Sequence, residues 1–405
     1  MYNILTGLRV IECSSFVAAP SAGLYLSQLG AEIIRIDQIG GGPDFRRWPV
    51  SKNNDSFYWE GLNKGKKSVA LDITSPKGRE LMVALATASG ENCGILLTNY
   101  PEKGFLSHTA LAKHRADQIT VRVMGRADGG SALDYTVNSA VGLPYMTGPE
   151  ALGDQPVNHV LPAWDLLTGA YAAFAIMSAV YHRQQSGAGQ EIRLPLSDFA
   201  MSSLAHLGMV AETLQSGQSR PRYGNDVYGA YGRDFVTADG KRLIIMALTA
   251  RQWRALVEVL DMAAEITALE TRLGADLSES EGVRFAHREA IHALVAPKVA
   301  RMEFAPLTQA LDKAGGCWGL FQTLHEAVQS PDLVTENPIF ETMKNVSGMH
   351  YPIPGAAATI PQQTRNKPRA APALGADSEE IMLDMLGLSA QQFSKLVDEG
   401  IVGIG

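Results

Sequence analysis

The 405-residue chain is 46% hydrophobic and 19% charged, and its formal net charge is −7. This length is more than one hydrophobic core usually organises, so we expect two domains. The acidic balance disfavours nucleic acid as a partner. The most apolar window, at 171–181, is about half as long as a membrane span, and the N-terminus does not resemble a signal peptide. We therefore expect a cytoplasmic protein without nucleic-acid or membrane partners.

The three cysteines, Cys13, Cys93 and Cys317, lie far apart, and no pair has the spacing of a zinc or redox motif. Widely spaced cysteines are typical of reduced thiols in a cytosolic protein. The sequence thus predicts neither disulfides nor a metal site.

The N-terminal part of the chain alternates between strand and helix patterns. We predict a strand at 8–12, a helix at 21–29 that ends at Gly30, and a strand at 32–37. A strand, a helix and a second strand within this distance form a βαβ unit, which implies a parallel sheet. The loop at 14–20 contains no glycine, so the dinucleotide-binding fingerprint is absent.

Further strands are predicted at 68–72, 94–99 and 118–123, and polar residues follow two of them. Asn99 and Arg126 come near strand ends, where open α/β sheets bind ligands. Lys64, Gly65 and Lys66 belong to a cationic turn before the strand at 68–72. Lysine charge and the small size of glycine suit the phosphates of a nucleotide-like ligand, although a solvated turn fits the pattern equally well.

An acidic residue stands at the beginning of a long run of small and apolar residues in the middle of the chain. Pro162 favours a helix start, and Leu166, Gly169 and Ala173 share one face of the helix that follows. The other face is also apolar, so we expect this helix to be buried nearly all round. Asp165 is either a helix cap or a carboxylate nucleophile whose pKa the helix dipole keeps low. The local pattern favours the cap.

The pattern changes near residue 217. Helices at 134–148 and 196–216 precede this point, and a hairpin at 234–248 and helical segments at 250–309 follow it. An extended proline-rich linker at 352–372 and two short amphipathic helices at 377–386 and 389–400 come last. The stretch after residue 217 is therefore predicted to begin a second, smaller domain.

Several strings of residues occur in an order that is typical of one family. They are 5–12 (LTGLRVIE), 29–37 (LGAEIIRID), 63–72 (NKGKKSVALD), 99–101 (NYP), 165–169 (DLLTG) and 372–375 (PALG). Together they span nearly the whole chain, which resembles the family III CoA-transferases, the group of formyl-CoA transferase and the 2-methylacyl-CoA racemases. Within this family, the strings at 16–20, 157–165 and 228–235 are similar to members that move CoA between the two carboxylates of mesaconate.

The resemblance implies an α/β fold. The family has a Rossmann-like large domain with a parallel sheet and a smaller α+β domain, and it forms interlocked homodimers. Carried over to this chain, 1–217 is the N-terminal part of the large domain, 218–325 is the small domain, and 326–405 returns to pack on the large domain.

The resemblance also implies the chemistry. Asp165 matches the catalytic aspartate, which attacks an acyl-CoA thioester and becomes an aspartyl-CoA thioester. Coenzyme A is then part of the substrate, a dicarboxylic acid is the other partner, and no permanently bound cofactor or metal is needed. The implied CoA-contacting residues are Val17, Ala18, Asn63, Lys64, Gly65, Lys66, Asn99 and Arg126. Arg47 and Arg233 are candidates for pairing with the free carboxylate of the substrate.

Four functions stay open at this point. The first is intramolecular transfer, from mesaconyl-C1-CoA (2-methylfumaroyl-CoA) to mesaconyl-C4-CoA (3-methylfumaroyl-CoA), and the second is transfer between two different acids. The third is a racemase, which needs an acid–base pair that usually includes a histidine; the loop at 14–20 has none. The fourth is a non-catalytic protein that binds CoA or a nucleotide.

Overall fold

The computed structural model describes residues 1–405 and contains two compact units. The large unit comprises Met1–Val141, His159–Glu212 and Pro331–Gly405, and the small unit comprises Gly142–Asn158 and Thr213–Ser330. The C-terminal segment thus belongs to the large unit. The membership of 142–158 in the small unit has no counterpart in the sequence-based division, because nothing in the local pattern sets this stretch apart.

Twelve strands and seventeen α-helices are numbered here in chain order. The strands are β1 (Arg9–Cys13), β2 (Glu32–Asp37), β3 (Lys67–Leu71), β4 (Ile95–Thr98), β5 (Ile119–Met124), β6 (Gln190–Pro195), β7 (Tyr231–Val236), β8 (Arg242–Ala247), β9 (Cys317–Leu320), β10 (Phe340–Lys344), β11 (His350–Pro354) and β12 (Val402–Gly403). The helices are α1 (Ala18–Gln28), α2 (Phe57–Leu62), α3 (Pro76–Ala86), α4 (His108–Leu111), α5 (Asp134–Ala140), α6 (Leu143–Met146), α7 (Ala163–Ser186), α8 (Leu196–His206), α9 (Met209–Ser216), α10 (Ala250–Val259), α11 (Ala263–Leu273), α12 (Glu281–Ala286), α13 (Arg288–Val299), α14 (Phe304–Ala314), α15 (Leu324–Ala327), α16 (Ser378–Leu386) and α17 (Ala390–Asp398).

The large unit is built on a seven-stranded sheet with the order β12-β3-β2-β1-β4-β5-β6. All neighbouring strands are parallel except β12 and β3. Strands β1 to β6 have the order β3-β2-β1-β4-β5-β6, which is the strand order of the doubly wound dinucleotide-binding fold. The predicted Rossmann-like sheet is therefore confirmed. In such sheets the order reverses between β1 and β4, and ligands bind beyond the carboxyl ends of the strands at that point.

Helices cover both faces of this sheet, which explains the continuous apolar runs of its strands. Successive residues of a strand point to opposite faces. Val10 accordingly packs with Ile176 of α7 in one core cluster. Ile11 packs with Met82 of α3 and Phe393 of α17 in the other. The C-terminal helices therefore complete the layer that α3 begins.

Helix α7 is only partly buried, so the expectation of burial all round is wrong. Its buried side packs closely on α1, and a Cβ at Gly169 would lie 2.0 Å from Ser21 Oγ. Its other side exposes large apolar residues to 44–67%; these are Leu167, Tyr171, Phe174 and Tyr181. Both faces of α7 have an apolar composition, which disfavours contact with water on either face. Composition alone does not show which of the two faces packs against the rest of the same chain.

By length and composition alone, α7 could cross a membrane, because it has 24 residues and a mean hydropathy of 1.3 over its most apolar window. The apolar segment is therefore longer than the window at 171–181. Core helices of soluble proteins pass the same test, and α7 has Ala172, Ile176 and Ala179 fully buried against the sheet.

The small unit has its own core. Strands β7, β8 and β9 form an antiparallel sheet, and the β7–β8 pair is the predicted hairpin. Apolar residues from this sheet, such as Leu243, pack with Leu256 of α10, Val295 of α13 and Leu307 of α14. The predicted hairpin and helical segments are thus confirmed.

Two predicted helices are interrupted. Gly142 has φ +86° and separates α5 from α6, and Gly208 has φ +77° and separates α8 from α9. A residue in the left-handed backbone conformation ends an α-helix, and glycine adopts this conformation without steric strain. Apolar periodicity continues across both glycines, which is why each pair is predicted as a single helix.

Candidate active site

The loop between β1 and α1 is held by side chains from two other loops. The amide group of Asn99, just after β4, accepts a hydrogen bond from Ser15 N (3.1 Å) and donates one to Ser15 O (2.8 Å). Phe16 has φ +69°, and its N–H donates to Asp44 Oδ2 at 2.9 Å. A non-glycine residue in the left-handed region is strained, so these contacts fix a loop conformation that the chain would otherwise leave.

The first turn of α7 is capped by a residue from another helix. Pro162 occupies the N-cap position and provides no side-chain cap. Instead, Asp134 Oδ2 accepts hydrogen bonds from Trp164 N (2.7 Å) and Asp165 N (3.1 Å). Asp165 is therefore not the N-cap that its local pattern favours. Because Asp134 serves the free amides of this turn, the carboxylate of Asp165 has no capping role.

Asp165 lines a cleft of about 690 Å³ in the large unit. Phe16, Val17, Ala18 and Asn99 line the same cleft, together with residues that follow β5. This is the carboxyl edge of the sheet at the point where the strand order reverses between β1 and β4. Three of the sequence-predicted CoA-contacting residues are thus brought together with the candidate nucleophile.

The electrostatic environment of Asp165 differs from the expectation. The pKa of its carboxyl group is raised to about 7, mainly by burial and also by the charge of Asp134, while Arg47 opposes this rise. The prediction that the helix dipole keeps the pKa low is therefore wrong. The free amides at the start of α7 already donate to Asp134, and loss of water penalises the charged form of Asp165.

Arg47 and Tyr58 lie close to Asp165. The guanidinium of Arg47 is 5.5 Å from the centre of the Phe16 ring and 5.3 Å from that of Tyr58. Burial raises the pKa of Tyr58 to about 12; Arg47 opposes this shift and the charge of Asp165 adds to it. Arg47 is an exposed cation placed between two aromatic rings, so it can meet an anion that enters from solvent.

A cluster of buried charges supports this region from below. Lys66 Nζ donates to Glu12 Oε2 (2.8 Å), Pro20 O (2.8 Å) and Asn63 Oδ1 (2.9 Å). Arg35 joins the cluster through Glu12, Asp37 and Asp44, and all these side chains are almost inaccessible to solvent. Pro20 lies in the first turn of α1, and Asp44 accepts the hydrogen bond from Phe16 N. The buried charges therefore contact both the loop that lines the cleft and the helix that follows it.

The remaining predicted residues do not line this cleft. Lys64 donates to Gly61 O, and burial, with the nearby charge of Lys66, lowers its pKa to about 8. Burial also lowers the pKa of Lys66 to about 8, against the opposing effect of Glu12. Arg126 is exposed, lies 3.5 Å from Asp128, and lines a neighbouring cleft of about 590 Å³. The lysine turn is thus buried scaffold in this structure rather than a solvated loop.

Arg233 belongs to the small unit. Its guanidinium contacts Asp226 at 2.7 Å and Glu289 at 3.0 Å, and Arg288 also contacts Asp226 at 3.1 Å. Its role towards a substrate carboxylate stays a prediction.

Other chemistries have less support at this cleft. No group of three or more His, Cys, Asp and Glu side chains is placed to hold a metal ion. Burial raises the pKa of the Cys13 thiol to about 12, which makes it a poor nucleophile. Asp134, Tyr58 and Asp44 were not found by sequence reasoning. Asp134 and Asp44 lie at least 28 residues from their partners at the cleft, and no local motif links any of the three to it.

The fold and this cleft define an α/β enzyme with a candidate carboxylate nucleophile. A family model described as CoA-transferase family III matches residues 5–378, so the chain belongs to the family III CoA-transferases. It is 45% identical over 404 residues to the 2-methylfumaryl-CoA isomerase of Chloroflexus aurantiacus, and the match covers 99% of this chain and 98% of the relative.

Another relative and a solved structure are also similar to this chain. The succinyl-CoA:mesaconate CoA-transferase of Haloarcula hispanica is 26% identical over 327 residues, covering 76% of this chain and 78% of the relative. The crystal structure of a CAIB/BAIF family protein from Brucella suis superposes with a TM-score of 0.75 at 23% identity, covering 95% of this chain and all of that one. The structural match supports the fold.

Proposed function

We propose that this enzyme moves coenzyme A within one molecule, converting mesaconyl-C1-CoA (2-methylfumaroyl-CoA) into mesaconyl-C4-CoA (3-methylfumaroyl-CoA). The observation that carries the proposal is Asp165, a carboxylate without a capping role that lines the cleft at the switch point of the sheet. The similarity over 404 residues to a 2-methylfumaryl-CoA isomerase supports the choice of substrate.

The reaction proceeds through two covalent species. The carboxylate of Asp165 attacks the thioester carbonyl, which gives a mixed anhydride and expels CoA as a thiolate. The thiolate then attacks the aspartyl carbonyl and releases mesaconate as a dianion, leaving an aspartyl-CoA thioester. Mesaconate turns over and its other carboxylate attacks this thioester, so the same two steps run in reverse and regenerate the free carboxylate. Covalent catalysis divides one difficult transfer into easier steps.

If mesaconate stays bound, its attack on the aspartyl-CoA thioester is effectively intramolecular, because this acid acceptor does not have to be captured from solution. Arg47 is the residue that we assign to its free carboxylate, since the guanidinium lies near Asp165 and carries the opposite charge. Arg233 stays a second candidate. Val17, Ala18 and Asn99 are proposed to contact CoA from the cleft, and Arg126 from the neighbouring cleft. A contact of CoA with Asn63, Lys64, Gly65 and Lys66 stays a prediction, because these residues are buried in this structure.

Mass spectrometry of the enzyme incubated with mesaconyl-C1-CoA tests this mechanism. We expect a CoA adduct that maps to Asp165, disappears with hydroxylamine, and is absent from the Asp165→Asn variant. The matched control is Asp128→Asn, which changes an exposed carboxylate of the same cleft and should keep the adduct. Turnover by the wild-type enzyme without any adduct on Asp165 would refute the proposal.

Transfer between two separate acids is the second candidate, and the similarity to a succinyl-CoA:mesaconate CoA-transferase favours keeping it. Isotope-labelled free mesaconate separates the two functions. Label that appears in the CoA ester during the first turnovers indicates exchange with solution and favours the second candidate. Exclusion of label until equilibrium supports intramolecular transfer.

A racemase function is less compatible with the cleft, because no histidine is among the residues that line it. Solvent deuterium incorporated at C2 of a 2-methylacyl-CoA would restore that alternative, and its absence argues against it.

We also propose that the protein is a cytoplasmic homodimer. Leu167, Tyr171 and Phe174 on α7, with Met201 on α8, expose large apolar surfaces within the large unit. Exposed apolar patches of this kind are typical of surfaces that bind another protein. Light scattering after gel filtration should give twice the chain mass of 43.5 kDa. A Phe174→Glu variant should shift it to the monomer, and a wild-type monomer at micromolar concentration contradicts the proposal.

A further inference from the structure

Helix α5 contacts the first turn of α7 at two points. Asp134, the first residue of α5, is 2% exposed and accepts hydrogen bonds from the N–H groups of Trp164 and Asp165. One turn further along α5, Asn138 Oδ1 accepts a hydrogen bond from the indole of Trp164 at 3.1 Å. The backbone that carries Asp165 is therefore fixed by side chains of another helix.

The second oxygen of Asp134 is also engaged. Asp134 Oδ1 lies 2.6 Å from Nε2 of His159, whose side chain is 24% exposed. With one oxygen on α7 and the other on His159, the carboxylate has a single orientation. Its negative charge acts on the nearby carboxyl group of Asp165, and the burial of Asp134 limits screening by solvent.

We propose that Asp134, held by His159, is a positioning residue that aims the carboxylate of Asp165 and sets the pH range over which Asp165 is ionised. The inference rests on the proposed function of Asp165 as nucleophile. It assigns two distinct effects to one side chain: hydrogen bonds that orient the first turn of α7, and a charge that disfavours ionisation of Asp165.

The upward effect of Asp134 on the pKa of Asp165 agrees with this geometry. Other ionisable groups face the same region and stay unchanged in the test. Arg47 and Tyr58 act on Asp165 directly. The cleft is also lined by Arg122, Glu102, Lys103 and Asp128, and Lys66 and Glu12 are buried beneath the loop that precedes α1. The neighbouring residues of α1, Ala18 and Ser21, are not ionisable.

Two substitutions at Asp134 separate the charge from the hydrogen bonds. Asp134→Asn keeps an oxygen that can accept from Trp164 N and Asp165 N, but it removes the charge. Asp134→Ala removes both. Asn138→Ala is the matched control, because it breaks the other contact between α5 and Trp164 without changing any charge.

The charge effect is measured without turnover. Asp165 is titrated by ¹³C NMR in protein labelled at the aspartate carboxyl carbons, and its signal is assigned from Asp165→Asn. We expect Asp134→Asn to lower the titration midpoint by about one pH unit, as loss of a neighbouring like charge should, and Asn138→Ala to leave it unchanged. A midpoint that stays within about 0.2 pH units in Asp134→Asn would overturn the inference. A missing CoA adduct on Asp165 would instead overturn the proposed function and leave the titration result standing.

The orienting effect appears in kinetics. Asp134→Ala should lower kcat about 10- to 100-fold with a much smaller change in KM, because misplaced reacting groups lose rate rather than affinity. Asp134→Asn should recover most of this loss and move the acid limb of the kcat/KM profile to lower pH. Equal losses of kcat in Asp134→Asn, Asp134→Ala and Asn138→Ala would show a merely structural role and refute positioning. If Asp134→Ala does not fold, Asp134→Asn and the NMR titration decide the charge effect alone.

Discussion

Replacing Asp165 by Asn should stabilise the protein, and the gain should depend on pH. Burial and the nearby charge of Asp134 together raise the pKa of this carboxyl group from 3.8 to about 7, against the opposing charge of Arg47. Because a pKa difference of one corresponds to about 1.4 kcal/mol, ionised Asp165 opposes folding by at most about 4 kcal/mol above pH 7. Asparagine fills a similar volume and carries no charge, which removes this penalty.

The pH dependence follows from the direction in which the pKa moves on folding. Between pH 3.8 and 7 the folded state binds a proton at Asp165 that the unfolded state does not. The contribution of Asp165 to the free energy of unfolding of the wild-type protein therefore falls as the pH rises across this window, and it is constant at higher pH. At pH 5 the penalty is about 1.6 kcal/mol and at pH 8 about 4 kcal/mol, so the advantage of Asp165→Asn should grow by about 2.5 kcal/mol between them.

Urea denaturation of both proteins at pH 5 and pH 8 measures this difference. Asp128→Asn is the control, because its carboxylate lines the same cleft but is 65% exposed, and its effect should not change with pH. An advantage of Asp165→Asn that is equal at both pH values, or that shrinks at pH 8, would refute the argument that Asp165 is ionised against a desolvation penalty.

Two further changes test the packing and the charge around this residue. Gly169→Ala places a Cβ 2.0 Å from Ser21 Oγ and 2.5 Å from Ala18 O, so urea denaturation should show a loss of about 2 kcal/mol; an unchanged midpoint contradicts the close packing of α1 on α7. Arg47→Met removes the one cation that lowers the pKa of Asp165, so the acid limb of the kcat/KM profile should move up by about one pH unit, and a move to lower pH contradicts this assignment.

The sheet was predictable because its strands obey local rules. Val10, Ile34 and Leu97 belong to short apolar runs bounded by turns, and such runs in alternation with helices imply parallel strands buried on both faces. The hairpin of the small unit followed from Asp239 and Gly240 between two β-rich segments. These features depend on neighbours in the sequence.

The exposed face of α7 was not predictable in the same way. Tyr171 and Phe174 belong to the same apolar run as the buried Ile176, and periodicity does not distinguish a face covered by the chain itself from one that stays open. The assignment of 142–158 to the small unit also depends on contacts between distant segments. Arg222, for instance, donates to carbonyl groups of Thr147, Gly153 and Gln155.

Asp165 itself was found from the sequence, but its environment was not. The interpretation of Asp165 as a cap assumes that its carboxylate accepts hydrogen bonds from the free amides of α7, because the two are adjacent in the chain. The structure instead supplies the cap from Asp134, which lies 31 residues earlier and reaches the amides only because α5 packs beside α7. An interaction between two helix starts has no periodic or compositional signature, so only the folded structure could reveal it.

The two carboxylates divide tasks that one could not perform. A carboxylate that caps a helix is stabilised by two or three N–H groups, and this stabilisation makes it a weaker nucleophile. Asp134 takes this role, and Asp165 is left poorly solvated and close to a like charge, with a pKa of about 7. At pH 7 about half of the molecules then carry an ionised Asp165, a factor of about two in rate. Stabilisation of 1.4 kcal/mol that a nucleophile must give up to reach the transition state costs about a factor of ten in rate, so ionisation of only half of the molecules is the smaller effect.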